Sequence, residues 1–506
     1  MDFSYLTAII FLPLLGAALI AFTPGLNRNL VRGIALLFTL AAFALAITVF
    51  VQFDRSDPGI QFEQTLAWIP AINANFHVGV DGLSMPLMVL TAFLGLMVVL
   101  ISWKEDNRVR EYFAWLLLLE ASILGVFTSL DLLLFFVFWE IEVIPMYFLI
   151  AVWGAGRKEY SSIKYVLYTL FGSAFMLAGI LTVYFTTGSL NMVELAQNGI
   201  VAGAIPATAM FFLLIVGFAV KLPVFPLHTW LPDAHTDAPT AGSVMLAGAL
   251  IKMGGYGMIR ICVSFFPEVA RQFSVLFVTL AVIGIVYGAA VTLRQTDLKK
   301  LIAYSSVSHM GMVLLGIFAF SEISFTGAAL QMVSHGLLTG LLFAMAGFTM
   351  HSAHERDLRK LGGLARQMPI ATVVFSIAGL GSLGLPLTSG FVAEFVTFTG
   401  AFSSGAFPGI QALVIISAIG VVLAAGYILW MIQRVFYGPP QPQFGGGHGE
   451  SGGHGAPAAA VPLVQVHDAD ALEKVYMFAF IILIILVGVY PAILTDIIKM
   501  GIAPLV

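Results

Sequence analysis

Apolar runs of about twenty residues recur from one end of this chain to the other, and they constrain the fold more than any other feature. They lie near residues 4–22, 31–52, 84–103, 112–130, 132–153, 162–186, 208–230, 240–265, 273–292, 301–320, 326–350, 370–402, 408–433 and 475–495. About 20 apolar residues carry a helix across the hydrocarbon of a bilayer. Within lipid every backbone N–H and C=O must be satisfied, and a helix does this inside one segment. The expected fold is therefore an all-α polytopic membrane protein of about 14 transmembrane helices, called spans 1–14 in chain order. Composition agrees. Only 10% of the residues are charged, against roughly 25% in soluble domains.

Basic residues sort by side. With the N-terminus outside, seventeen of the 23 Lys and Arg fall in cytoplasmic connections, among them Arg28, Arg32, Lys104, Arg157, Lys299, Lys300, Arg356 and Lys474. Arg55, Arg260, Arg271 and Lys499 fall outside, and Lys221 and Lys252 fall within spans. Such asymmetry sets orientation. It predicts fourteen spans with both termini periplasmic, and the size and long inner loop suit a bacterial inner membrane. Leu6–Phe22 has no basic residues before it and no clear cleavage site after it, so it reads as a retained span.

Several classes are excluded. A net charge of −4 gives no reason to expect nucleic acid. Cys262 is the one cysteine, so no internal disulfide or cysteine-held cluster is expected. No CxxC, GxGxxG or P-loop pattern occurs, and neither a cofactor nor a metal is expected in this chain. The outer loop 53–83, with Val78 and Val80, suits a short hairpin. The inner loop 437–470 reads as a flexible Gly/Pro linker, with metal binding at His448 and His454 as the lesser alternative.

Two spans carry helix breakers at membrane depth. Span 7 holds Pro223 and Pro226; span 12 holds Gly384, Pro386 and Gly390 and is too long for one straight helix. The breaks are five spans apart and run in opposite directions. This predicts two inverted five-helix repeats, 111–265 and 271–436, each with a broken helix. Around them lie an N-terminal three-span region (1–110), the linker 437–470 and a last span (471–506). Matched breaks in inverted halves point to an ion or substrate path.

Ionisable residues at bilayer depth are costly, roughly 2.5–3.5 kcal/mol each on insertion scales, and need a reason. They are Glu120 in span 4, Glu140 and Glu142 in span 5, Lys221 in span 7, Lys252 in span 8, His309 in span 10, His335 in span 11 and Glu394 in span 12. Each can also be a plain helix–helix polar contact. Burial moves Lys and Glu toward the pH range where they exchange protons. Glu140 and Lys221 make a candidate pair, Lys252 and the histidines a lateral relay, and Glu394 an exit. Glu140 and Glu142 stand about 200° apart on a helix and cannot share a face; periodicity does not choose between them. His228 and His235 at the inner end of span 7 read equally as a relay or as solvated loop residues.

The stretches Gly217–Pro223 and Phe225–His235, Ala238-Pro239-Thr240-Ala241-Gly242-Ser243-Val244, Trp139-Glu140 with Pro145-Met146-Tyr147-Phe148, Ser306–Gly311 and Gly390–Phe395 resemble a family signature. They look like the antiporter-like membrane subunits of proton-pumping NADH:quinone oxidoreductase (respiratory complex I), of the subunit M or chain 4 type. The resemblance implies a core Glu–Lys pair at Glu140 and Lys221, with Lys252, His335 and Glu394 completing the proton path. It implies that FMN, iron–sulfur clusters and quinone sit in partner subunits, two of them sister antiporter-like chains. Glu120, Glu142, His309, His228 and His235 are secondary candidates. The rival readings are a subunit of a multi-subunit sodium/proton antiporter, a hydrogenase membrane subunit and a passive scaffold.

Overall fold

The structure, a computed structural model, describes residues 4–200, 205–444 and 465–505. Among them twelve helices are long and apolar enough to cross a membrane: Tyr5–Phe22, Arg28–Gln52, Ser84–Ile101, Val109–Thr128, Leu132–Trp153, Lys158–Thr187, Thr240–Val263, Ser274–Thr292, Leu298–Phe318, Glu322–Ala353, Ile410–Tyr437 and Ala471–Val489. They are spans 1–6, 8–11, 13 and 14. Spans 7 and 12 are each built of two shorter helices, Ala207–Lys221 with Trp230–Asp237, and Pro369–Ser382 with Ser389–Phe402. The protein is a multi-pass membrane protein with the expected all-α fold.

Local chemistry explains both interruptions. Pro223 and Pro226 lack the N–H that would continue the ladder after Lys221, and residues 222–229 form turns. In span 12, Gly384 and Leu387 adopt φ of 85° and 73°, a region that ends an α-helix. The two halves then press together. A Cβ on Gly390 would stand 2.1 Å from the Gly381 carbonyl oxygen.

Burial divides the spans into an inner and an outer set. The middle of Glu322–Ala353 is wholly buried and the middles of Leu298–Phe318 and Thr240–Val263 nearly so, whereas Arg28–Gln52, Ile410–Tyr437 and Ala471–Val489 turn most of their surface outward. The outward surface is apolar, with Leu37, Val51, Leu167, Phe185, Ile415 and Val422 exposed, as lipid contact requires. The innermost spans carry Lys252, His309 and His335.

Contacts between connections gather at the two ends of the helices. On one face, the outer loop forms an antiparallel hairpin, β1 (Gln61–Ile69) with β2 (Ala74–Val80). There Val78 bridges to Ser129, Asp131 to Asn191, and Arg260 pairs with Asp81 at 2.5 Å. A terminal helix, Ala492–Ile502, packs its Gly501 backbone against Gly82. On the other face, Lys104 pairs with Asp470 and Glu473, and Asp297 bridges to Asp357. One assignment is corrected. Lys299 is no loop cation; it lies in the first turn of span 10 and is buried. The helix begins at Leu298, earlier than hydrophobicity indicated, because Asp297 caps it there, and the ammonium meets the Ala238 carbonyl and the Ser243 hydroxyl inside. The histidines of the inner linker, His448 and His454, lie outside the described residues.

Candidate functional site

Lys221 is the last residue of the first half of span 7 and is buried. Its Nζ donates to Glu142 Oε1, and Tyr165 of span 6 donates its hydroxyl to Glu142 Oε2 at 2.9 Å. The rings of Trp139 and Tyr165 stand 5.6 and 5.5 Å from the ammonium, close enough for cation–π attraction. Three elements thus hold one ion pair, and the break after Lys221 leaves it beside backbone that no longer closes helical bonds.

The partner of Lys221 is therefore Glu142 and not Glu140. The inner face of span 5 is the stripe Phe135, Trp139, Met146, Leu149 and Ile150, all buried; helical spacing places position 142 on it and position 140 off it. Glu140 is part-exposed, beside the Ser173 hydroxyl and within electrostatic reach of Lys221 and Glu142.

A second line of groups crosses the centre. Lys252 is fully buried between two π-helical turns of span 8, Leu246–Leu250 and Met258–Val263. Such turns recur at functional sites, and here one offers the Ala247 carbonyl to the ammonium. Lys252 Nζ lies 2.7 Å from His335 Nδ1. The His335 ring is 5.4 Å from that of His309, and His309 Nδ1 is 3.4 Å from Glu394 Oε1. Ser382, at the break of span 12, places its hydroxyl 3.3 Å from His309 Nε2. Spans 8, 11, 10 and 12 thus supply a lysine, two histidines and a carboxylate in sequence. Where Lys252 donates to Nδ1, a neutral His335 carries its proton on Nε2, which has no partner among the described residues and can give that proton up as Nδ1 takes one.

Residues 129–420 match the family described as NADH:quinone oxidoreductase/Mrp antiporter, TM. The chain is 37% identical to "NADH-quinone oxidoreductase subunit M" of Rhodobacter capsulatus over 99% of its own length and 96% of that protein. It is 38% identical to "NAD(P)H-quinone oxidoreductase chain 4 1" of Synechococcus elongatus, covering 98% and 90%. The chain belongs to this antiporter-like membrane family. A chain of respiratory complex I from Thermus thermophilus superposes with a TM-score of 0.85 at 28% identity, over 99% of both chains.

The remaining candidates of this family member fall into place unevenly. His228 and His235 are both buried, which overturns their reading as solvated loop residues. His228 stacks on Phe225, while His235 stacks on Phe343 with neither ring nitrogen hydrogen-bonded among the described residues. Glu120 is buried against Gly95 of span 3, and both its oxygens lack a partner there; the structure joins it to neither line. Sequence reasoning missed Tyr165, which stood in the chain as an unremarkable aromatic in an apolar helix. A hydroxyl at bilayer depth, within a helix turn of Lys164 and Thr169, was the signal available.

Proposed function

We propose that this chain is the proton-translocating subunit of the membrane part of an NADH:quinone oxidoreductase. The reading rests on one observation: a buried Glu142–Lys221 pair and a Lys252–His335–His309–Glu394 row lie inside one helical core, beside two broken helices. A carboxylate beside Lys221 stabilises its proton, and weakening that contact releases it. The released proton is passed along the central row to Glu394, on the outer side of the span 12 break. Lys221, Lys252, His335 and Glu394 keep their proposed roles, Glu142 takes the place of Glu140 as the partner of Lys221, and Glu140 is assigned a proton-transfer role beside the pair.

Redox chemistry is assigned to partners. FMN, iron–sulfur clusters and quinone belong to other subunits, and electrostatic change at the boundary with a sister subunit drives this one. Residues 111–265 and 271–436 act as the two inverted units, one for uptake and one for release. The segregation of basic residues supports cytoplasmic inner connections and periplasmic termini in a bacterial inner membrane. Because the family description also names Mrp antiporters, the second reading is sodium/proton exchange.

Proton pumping by membrane vesicles holding the assembled complex tests this. Lys221→Ala is expected to abolish quinone-linked pumping, while NADH oxidation by an artificial acceptor upstream of the membrane continues. Unchanged proton-to-electron stoichiometry overturns the reading, and sodium-dependent transport favours the antiporter.

A further inference from the structure

We infer that the groove between spans 1 and 4 is a phospholipid site, with the lipid phosphate on Arg110 and one acyl chain lying between the two helices. A cavity of about 400 Å³ opens there, at the end of Tyr5–Phe22 and the start of Val109–Thr128. Ala17, Ala18, Ala21 and Ala114 line it; their single methyl groups leave room where larger side chains would close the seam. The two ends differ in chemistry. Leu14 and Leu118 bound the deep end, while Arg110 and Glu111 stand at the mouth. The rise from position 22 to position 14, and from 110 to 118, is about 12 Å, against about 15 Å for half of the hydrocarbon core of a bilayer. The groove therefore runs from a charged rim at the helix ends to an apolar end within one leaflet.

The rim presents a cation with a donor to spare. Arg110 donates through Nη2 to the Ala21 carbonyl at 3.0 Å and to the Ile20 carbonyl at 3.4 Å, at the end of span 1. Its Nε is buried and meets no acceptor among the described residues. A buried N–H left without an acceptor costs about 1–3 kcal/mol, and such a group points to a ligand. The nearby carboxylates are drawn elsewhere. Glu111 pairs with Arg108 at 3.5 Å, and Asp106 pairs with Arg28 and Arg32 at 3.2 and 2.8 Å. Among the described residues Arg110 has no carboxylate within ion-pair distance. A phosphate oxygen is the acceptor that a guanidinium fork at a membrane boundary matches, through charge-assisted hydrogen bonds. The volume speaks against a partner helix in the groove. A helix is about 10 Å across, so a length of about 12 Å needs more than twice this space. An acyl chain fits it, and the Trp115 ring, stacked on Phe148 at 4.7 Å, gives that chain a flat apolar wall.

Trp115 reports the occupant. Phosphatidylglycerol brominated on its acyl chains quenches a tryptophan that it touches, and the emission of Trp115 is the difference between wild type and Trp115→Phe in the assembled complex. In detergent, with a few lipids added per complex, this emission is expected to fall as the brominated lipid is added. Arg110→Gln is expected to need about tenfold more lipid for half quenching, the worth of one charge-assisted hydrogen bond. Ala18→Leu fills the groove and is expected to abolish the quenching; it decides the question where Arg110→Gln does not assemble. Emission from Trp115 that does not respond to the lipid overturns the proposal, because another subunit then covers the groove or nothing enters it. Wild-type quenching in Arg110→Gln or in Ala18→Leu overturns it as well. Diacylglycerol with the same brominated chains separates the chain from the headgroup, and quenching as strong as that by phosphatidylglycerol shows that the phosphate is not read. Inorganic phosphate added at the concentration of the lipid is expected to leave the quenching intact; its reversal assigns the rim to a free anion and overturns the lipid site.

Discussion

Glu142 and Lys221 meet in a buried ion pair between spans 5 and 7, with the Tyr165 hydroxyl on the other carboxylate oxygen and the Trp139 and Tyr165 rings beside the ammonium. Removing one member of a buried pair leaves an uncompensated charge, at a cost of about 3–5 kcal/mol. Glu142→Gln is therefore expected to lower the thermal stability of the purified complex and to abolish pumping. Glu142→Gln with Lys221→Met removes both charges and is expected to recover the stability but not the pumping. A double variant no more stable than Glu142→Gln alone contradicts the pairing.

Glu140 provides the contrast. It lies off the inner stripe of span 5 and makes no contact with Lys221 of the kind Glu142 makes. Glu140→Gln is expected to leave stability within about 0.5 kcal/mol of wild type, as for a substitution that breaks no buried network, yet to reduce quinone-linked turnover. Thermal melts and NADH:quinone rates on the same preparation check both halves of this expectation.

The central row predicts graded losses. His335→Phe removes the acceptor of Lys252 and the ring facing His309, and pumping is expected to drop by about 10²-fold, the scale of one proton-transfer group. Glu394→Gln, at the end of the row and 3.4 Å from His309, is expected to lose less. Proton-to-electron ratios in vesicles rank the two, and equal ratios to wild type take either residue off the path.

The broken helices depend on close backbone approach. A Cβ on Gly254 of span 8 would stand 2.5 Å from the Leu222 backbone nitrogen, at the start of the span 7 break. Gly254→Ala is expected to push the break away from span 8 and to reduce assembled complex in the membrane by about 1–3 kcal/mol in stability, the cost of overpacking. Quantifying intact complex on native gels tests this, with Gly33→Ala, where a Cβ meets nothing within 4 Å, as the control.

A charge clamp holds the end of span 3 to the start of span 14. Hydrogen bonding to the Lys104 ammonium holds the Asp470 carboxyl below its ordinary range. A depressed carboxyl pKa stabilises the folded state above its unfolded value and loses that contribution as pH falls. The pair is half exposed, so its worth is at most about 1 kcal/mol. Lys104→Ala is expected to lower the melting temperature slightly at pH 7 and not at all once pH falls below the carboxylate range. Melting curves of both proteins across that interval show whether the difference vanishes.

The sequence by itself determined the apolar runs that become spans, the two breaks and the set of ionisable residues within those runs. Each follows from local chemistry: run length, side-chain charge, and Pro or Gly within a helix. Only the tertiary structure decided which of Glu140 and Glu142 meets Lys221, that Lys299 is buried, and that His335 and His309 join Lys252 to Glu394. The reason is physical. In water a helix announces its inner face by the contrast of apolar and polar positions. In lipid the outer face is as apolar as the core, so Trp139 and Ile144 look alike in the sequence although one is buried and the other exposed. The rotation of each span is then fixed by packing against its neighbours, and that rotation places the charges.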